Sequence, residues 1–146
     1  MKRISHILKS KAIQSVYSIA PSATVFDAVT LMSQRNVGAL LVMETTDVVG
    51  IVSERDCVWR MVPSGRSPNE TQVCEIMSAP VQYVPSTHTN EECMALMTDK
   101  RLRHLPVIDE GRLVGLISIG DLVKDIISEQ NFIIEQLEHY IMGDRG

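Results

Sequence analysis

Aromatic residues are scarce: one Trp, three Tyr and two Phe in 146 residues, 4% of the chain. Proteins that hold single-stranded nucleic acid rely on stacking platforms, and few can be built here. A positive field is missing as well. Fourteen Lys and Arg stand against eighteen Asp and Glu, a net charge of −4, which argues against general attraction to nucleic acid or to an anionic membrane. No apolar run reaches the roughly 18 residues that span a bilayer. The start, Met1-Lys2-Arg3-Ile4-Ser5-His6, leads into no apolar stretch of the signal-peptide kind. The three cysteines, Cys57, Cys74 and Cys93, are odd in number and form no Cys-x-x-Cys. They read as free thiols in a reducing compartment, which points to the cytoplasm. His6, His88 and His139 share no metal-ligand spacing with Cys or carboxylates. Neither Gly-x-x-x-x-Gly-Lys nor Gly-x-Gly-x-x-Gly occurs, so the common phosphate-loop and dinucleotide fingerprints are absent. Neither an enzyme acting on a nucleotide nor a nucleic-acid-binding regulator finds support in these residues.

What is present is a repeat. Shifted by 65 positions, Val16–Val62 lies on Val81–Ile127 without a gap, and eleven of the 47 aligned positions are identical. Internal repeats govern the fold assignment and take precedence over local signals. Half a chain of this length buries too little surface to stand alone, so the copies are expected to fold together. A two-fold repeat also predicts a pseudo-two-fold axis with two related clefts.

Each copy reads in the same order. A short extended piece (15–19 or 80–84) is followed by a helix with Thr24 or Thr89 as N-cap and acidic residues in its first turn. Apolar Val25, Ala28, Val29 and Met32 recur at helical spacing in copy one. Two β-rich runs follow (39–43 and 48–52; 105–108 and 113–117), then a second helix from near Asp56 or Asp121. The organisation is an N-terminal segment 1–14, repeat one 15–62, a Pro/Gly/Ser linker 63–79, repeat two 80–127 and a helical tail 128–146. In the tail, Ile133, Ile134, Leu137, Tyr140 and Ile141 form an apolar stripe that another part of this chain, or a second chain, must cover.

After the second β-run each copy reads Gly-h-h-Ser-x-x-Asp, with h apolar: Gly50-Ile51-Val52-Ser53-Glu54-Arg55-Asp56 and Gly115-Leu116-Ile117-Ser118-Ile119-Gly120-Asp121. Ser-x-x-Asp at a strand-to-helix turn is nearly a capping box, which needs no ligand to explain it. The same helix N-terminus also offers N–H groups and a positive dipole end to a phosphate. An aspartate one turn on can accept both hydroxyls of a ribose, as acidic residues do in dinucleotide sites. The two readings are compatible.

At these residues the chain resembles a tandem pair of cystathionine-β-synthase (CBS) domains, and more narrowly the small stand-alone CBS-pair proteins of bacteria. The resemblance rests on the repeat, the element order, Arg103-His104-Leu105-Pro106-Val107-Ile108-Asp109 and both Gly-h-h-Ser-x-x-Asp turns. It covers about residues 16–127. It implies an α+β fold of two βαββα halves packed through their sheets, with a regulatory rather than catalytic role. It also implies an adenine nucleotide in the clefts: AMP, ADP, ATP, NAD(H) or S-adenosylmethionine. By position, the ribose ligands would be Asp56 and Asp121. The phosphate-side groups would be Ser53, Ser118, Arg55, Arg103 and His104. The cleft lining would include Tyr17, Val37, Gly38 and Ala39 from copy one, and Gln82, Leu102, Leu116, Ile119 and Gly120 from copy two. A homodimer through the helices and an unidentified regulated protein are the implied partners.

The copies disagree where charge matters. Arg103 and His104 stand opposite Gly38 and Ala39, and Arg55 stands opposite Gly120. Arginine is the better bidentate partner for phosphate. The expectation is that the Asp121 cleft holds phosphate against Arg103 and His104. The Asp56 cleft would use Arg55, helped by Arg103 from across the pseudo-axis.

Overall fold

Four helices begin on the same device. Thr24, Ser53, Thr89 and Ser118 each accept the backbone N–H three residues on, and the acidic side chain there returns a bond to the cap's own N–H. This reciprocal cap satisfies two of the free N–H groups at a helix start. The four fall into two pairs 65 residues apart, so the repeat is written into the helix starts.

The chain is described from a computed structural model, which covers residues 2–11 and 16–142. Its elements are α1 (Ile4–Ser10), β1 (Ser18–Ile19), α2 (Val25–Arg35), β2 (Ala39–Glu44), β3 (Asp47–Ser53), α3 (Glu54–Met61), a 3-10 turn (Val73–Glu75), α4 (Asn90–Lys100), β4 (His104–Asp109), β5 (Arg112–Ser118) and α5 (Ile119–Ile141). Ser15, at the edge of the first extended piece, lies outside the described residues.

The sheets repeat down to their irregularities. β1 runs parallel to β2, with Ile19 opposite Val42. In copy two, Val84 makes the matching parallel bridge to Val107 but no full strand. β2–β3 and β4–β5 are antiparallel, and each slips register at the same place, after Val42 and after Val107. α2 and α4 both stop on a left-handed residue, Asn36 (φ 54°) and Arg101 (φ 55°). Asn tolerates that conformation at little cost; for Arg the tertiary context must hold it. One core gathers Val25, Ala28, Leu40, Val42 and Val52. The other gathers Val84, Cys93, Leu105, Val107 and Ile117.

Two differences from the sequence-based expectation stand out. First, the N-terminal segment is part of the repeat. Ile4 and Ile7 are buried in the second core, and Ile4 N–H donates to His88 O at 2.8 Å. Val73 N–H donates to Ala23 O at 2.8 Å in the same way. The bridges Arg3↔Thr89 and Thr24↔Gln72 complete the correspondence. Residues 2–10 therefore close the second repeat, and 71–79 close the first, in a register of 69. Second, the tail is not a separate helix. α5 runs unbroken from Ile119 to Ile141, carrying the expected apolar stripe out from the body on its last turns.

Candidate functional site

β3 and β5 each deliver their last residue, Ser53 or Ser118, in extended conformation directly to a helix start. The Ser53 hydroxyl accepts Asp56 N–H at 3.1 Å, and Asp56 Oδ2 accepts Ser53 N–H at 3.0 Å. Ser118 and Asp121 repeat this at 3.1 and 2.8 Å. The capping reading of both turns is therefore correct. It uses Oδ2 of Asp56; Oδ1 takes no part in the cap and has Arg60 Nε at 3.8 Å.

Between the repeats lies a cleft of about 510 Å³. From copy one it takes Ser53, Arg55 and Asp56, with Gly38 and Ile51 beside them. From copy two it takes Arg101, Leu102, Arg103 and His104, and the start of α5 at Ser118, Ile119 and Gly120. Two helix N-termini thus converge on one space. The lining carries four arginines (Arg55, Arg60, Arg101, Arg103) against Glu54 and Asp56. In a chain of net charge −4, this concentrates positive field where a phosphate would lie. The Arg55 guanidinium rests over the Trp59 ring, 4.9 Å from its centroid. That ring is 67% exposed and borders the cleft, offering an apolar face to a ligand.

His104 opens β4 at the seam of the two repeats. A Cβ placed on Gly38 would have Glu54 Oε1 at 3.4 Å and His104 Cε1 at 3.9 Å, so these two side chains flank that glycine. Burial pushes the His104 imidazole below its usual 6.5, while Asp121 and Glu54 pull it up and Lys11 and Arg103 push it down. A ligand phosphate would add a negative charge beside it and favour the protonated form.

The structure therefore gathers Ser53, Arg55, Asp56, Gly38, Leu102, Arg103, His104, Ser118, Ile119 and Gly120 around one cleft. Others stand elsewhere. Tyr17 stacks under Arg35 at 5.3 Å and packs on the first core. It sits next to β1, and β2 separates β1 from the turn that carries Ser53. Gln82, which leads into the matching bridge at Val84, is exposed. Val37 packs into the first core behind the left-handed Asn36, the usual apolar contact at such a helix end. Ala39 is buried at the start of β2 and is not among the residues that line the cleft.

Arg103 and His104 line the cleft of Asp56, and His104 also lies within electrostatic reach of Asp121. Asp121 borders a second depression of about 380 Å³, which it shares with Lys2, Lys11, Lys124 and Asp125. There Lys11 Nζ lies 3.1 Å from Asp121 Oδ2 and donates to Leu116 O at 2.8 Å. Lys11 is the site residue that the repeat of 65 does not find. The signal that would find it is the second register, which sets Ile4, Ile7 and Leu8 on Val73, Ile76 and Met77.

Comparison with known proteins shows the family and the fold. The CBS domain family model matches residues 4–62 and 73–128. The chain is 37% identical over 148 residues to the mitochondrial CBS domain-containing protein CBSX3 of Arabidopsis thaliana, covering 96% of this chain and 72% of that one. A solved CBS-domain protein from Burkholderia ambifaria superposes with a TM-score of 0.85 at 47% identity, over 88% of this chain and 96% of its own. A hexameric CBS-CP12 protein from bloom-forming cyanobacteria superposes with a TM-score of 0.75 at 33% identity, over 84% of this chain and 70% of its own.

Proposed function

This chain belongs to the CBS domain family, and we propose that it is a non-catalytic regulatory module reading an adenine nucleotide in the Asp56 cleft. The observation that carries the reading is the convergence of both capped helix starts with Asp56 and arginines from both repeats on one cleft. Asp56 would accept the ribose hydroxyls. Arg55, Arg103 and His104 would meet the phosphates, with the Ser53 and Ser118 turns adding N–H groups and dipole.

Because both repeats line the cleft, a ligand held by both favours the arrangement in which they close on it. A ligand shifts such an equilibrium by the difference in its affinity for the two states. The readout would be a regulated protein or a second copy of this chain. The exposed Phe132, Leu137, Tyr140 and Ile141 of α5 support self-association through α5, and the hexameric neighbour shows that a similar protein assembles. A solution mass equal to a single chain would contradict it. No described helix is long and apolar enough to cross a membrane. The free cysteines suit the cytoplasm, but the mitochondrial relative shows that the family does not fix a compartment.

Calorimetry with AMP, ADP, ATP, NAD and NADH tests the reading. At least one should bind with micromolar Kd, about −8 kcal/mol, and be recovered unaltered. If none binds at millimolar concentration, the function is wrong; if one is turned over, the protein is an enzyme.

A further inference from the structure

The two ribose-type aspartates are positioned by matching caps, yet their surroundings differ. In copy one, Ile51 and Asp56 both line the open cleft. Their counterparts in copy two are Leu116 and Asp121, and one ammonium holds both. Lys11 Nζ donates to Leu116 O at 2.8 Å and pairs with Asp121 Oδ2 at 3.1 Å.

The cause lies in the segments that close the repeats. In copy one the closing segment is extended at Ser78, which exchanges backbone bonds with Ile51 at 2.9 and 3.1 Å. In copy two the matching stretch stays helical through Ser10, and the Leu116 carbonyl is met instead by the Lys11 side chain. In the register of 69, the residue matching Lys11 is Pro80, which can supply no such charge. At Asp56 the ion pair is looser: Arg60, one turn on in the same helix, holds its Nε 3.8 Å from Oδ1.

We infer that Lys11 is the residue that decides which pseudo-equivalent site takes ligand: its ammonium pairs with Asp121 from within, on the oxygen that also caps α5, so each chain binds one nucleotide, at Asp56. The inference rests on the proposed nucleotide role of the Asp56 cleft. A ribose approaching Asp121 would have to displace a cation held by two partners and 24% exposed, whereas the Arg60 beside Asp56 is 51% exposed and 3.8 Å away. Ribose hydroxyls would also make charge-assisted bonds to the carboxylate, but they bring no positive charge and would leave the Leu116 carbonyl without the Lys11 ammonium it now accepts from.

The test is the binding stoichiometry of the nucleotide that the parent protein prefers. The parent should bind one per chain. Lys11→Met, which keeps the aliphatic stem, should bind a second, with affinity for that site raised roughly tenfold or more. Lys11→Met with Asp121→Asn should return to one, at Asp56. Lys11→Met with Asp56→Asn should keep one, at Asp121. A parent that already binds two, or a Lys11→Met protein that still binds one, overturns the inference while leaving the nucleotide reading intact. Binding to neither protein sinks both. A zero-length carbodiimide cross-link supplies a readout that needs no nucleotide or variant. Activated Asp121 should capture the Lys11 amine as an amide, detected by peptide mass, and failure to form that link also overturns the inference.

Discussion

The Ile4 N–H donates to the His88 carbonyl at 2.8 Å, across 84 positions of sequence. This bond fixes the N-terminal helix to the second repeat, where Ile4 is fully buried. Ile4→Ala should therefore cost about 2–5 kcal/mol, the usual range for truncating a buried aliphatic side chain. Urea unfolding checks it. A cost below about 0.5 kcal/mol would mean that α1 is not part of the second core.

Two equivalent glycines should respond unequally to the same substitution. A Cβ on Gly50 would meet Met77 Sδ at 2.5 Å and the Ser78 carbonyl at 3.2 Å. The three atoms nearest a Cβ on Gly115 all belong to the Leu8 side chain, with Cδ2 at 2.8 Å. Overpacking typically costs about 1–3 kcal/mol. Gly50→Ala should fall at the upper end, because Ser78 is backbone paired to Ile51 and cannot move aside freely. Gly115→Ala should cost less, because Leu8 can change rotamer. Thermal midpoints in the opposite order would contradict this packing.

The thiols should separate into one reactive and two inert. Cys57 and Cys93 are buried, and burial pushes both thiols up to about 11. Little thiolate, the reactive form, is then present at neutral pH. Cys74 is exposed. A disulfide reagent should titrate one thiol per native chain quickly and three after denaturation. Three fast thiols in the native protein would refute the burial.

His104 should make stability sensitive to mild acid. Its folded pKa lies below the usual 6.5, so the unfolded chain binds the proton more readily. Stability should then fall as pH drops below 6.5 and the unfolded state is favoured. His104→Gln should flatten that part of the curve. Nucleotide binding should reverse the shift, because a phosphate raises the imidazole pKa. Binding in mild acid should therefore take up a proton, measurable by calorimetry in buffers of different ionisation enthalpy. Proton release on binding would place the phosphate away from His104.

Much of this was legible from local signals. The caps at Ser53–Asp56 and Ser118–Asp121 depend only on residues three apart, and the sheets follow from short apolar runs broken by polar turns. The N-terminal contribution was hidden because its register differs. Between Lys11 and Val16 the chain has four more residues than between Pro80 and Val81, so a single shift of 65 misses it. The tail is misjudged for a related reason. α3 ends before Pro63-Ser64-Gly65, whereas α5 meets Ser128-Glu129-Gln130, which continue a helix without a break. The allocation of Arg103 and His104 was out of reach. It depends on which pre-strand segment faces which helix start, and that is a tertiary relation no local pattern encodes.

The most direct test of the central claim compares nucleotide affinity in the parent, Asp56→Asn and Asp121→Asn by calorimetry. Asn can still accept the Ser53 or Ser118 amide, so the helix starts survive while the carboxylate charge is lost. Asp56→Asn should weaken binding at least roughly tenfold, about 1.4 kcal/mol, and Asp121→Asn should leave it unchanged. If Asp56→Asn binds as the parent does, the nucleotide does not sit where the cleft predicts, and the account fails.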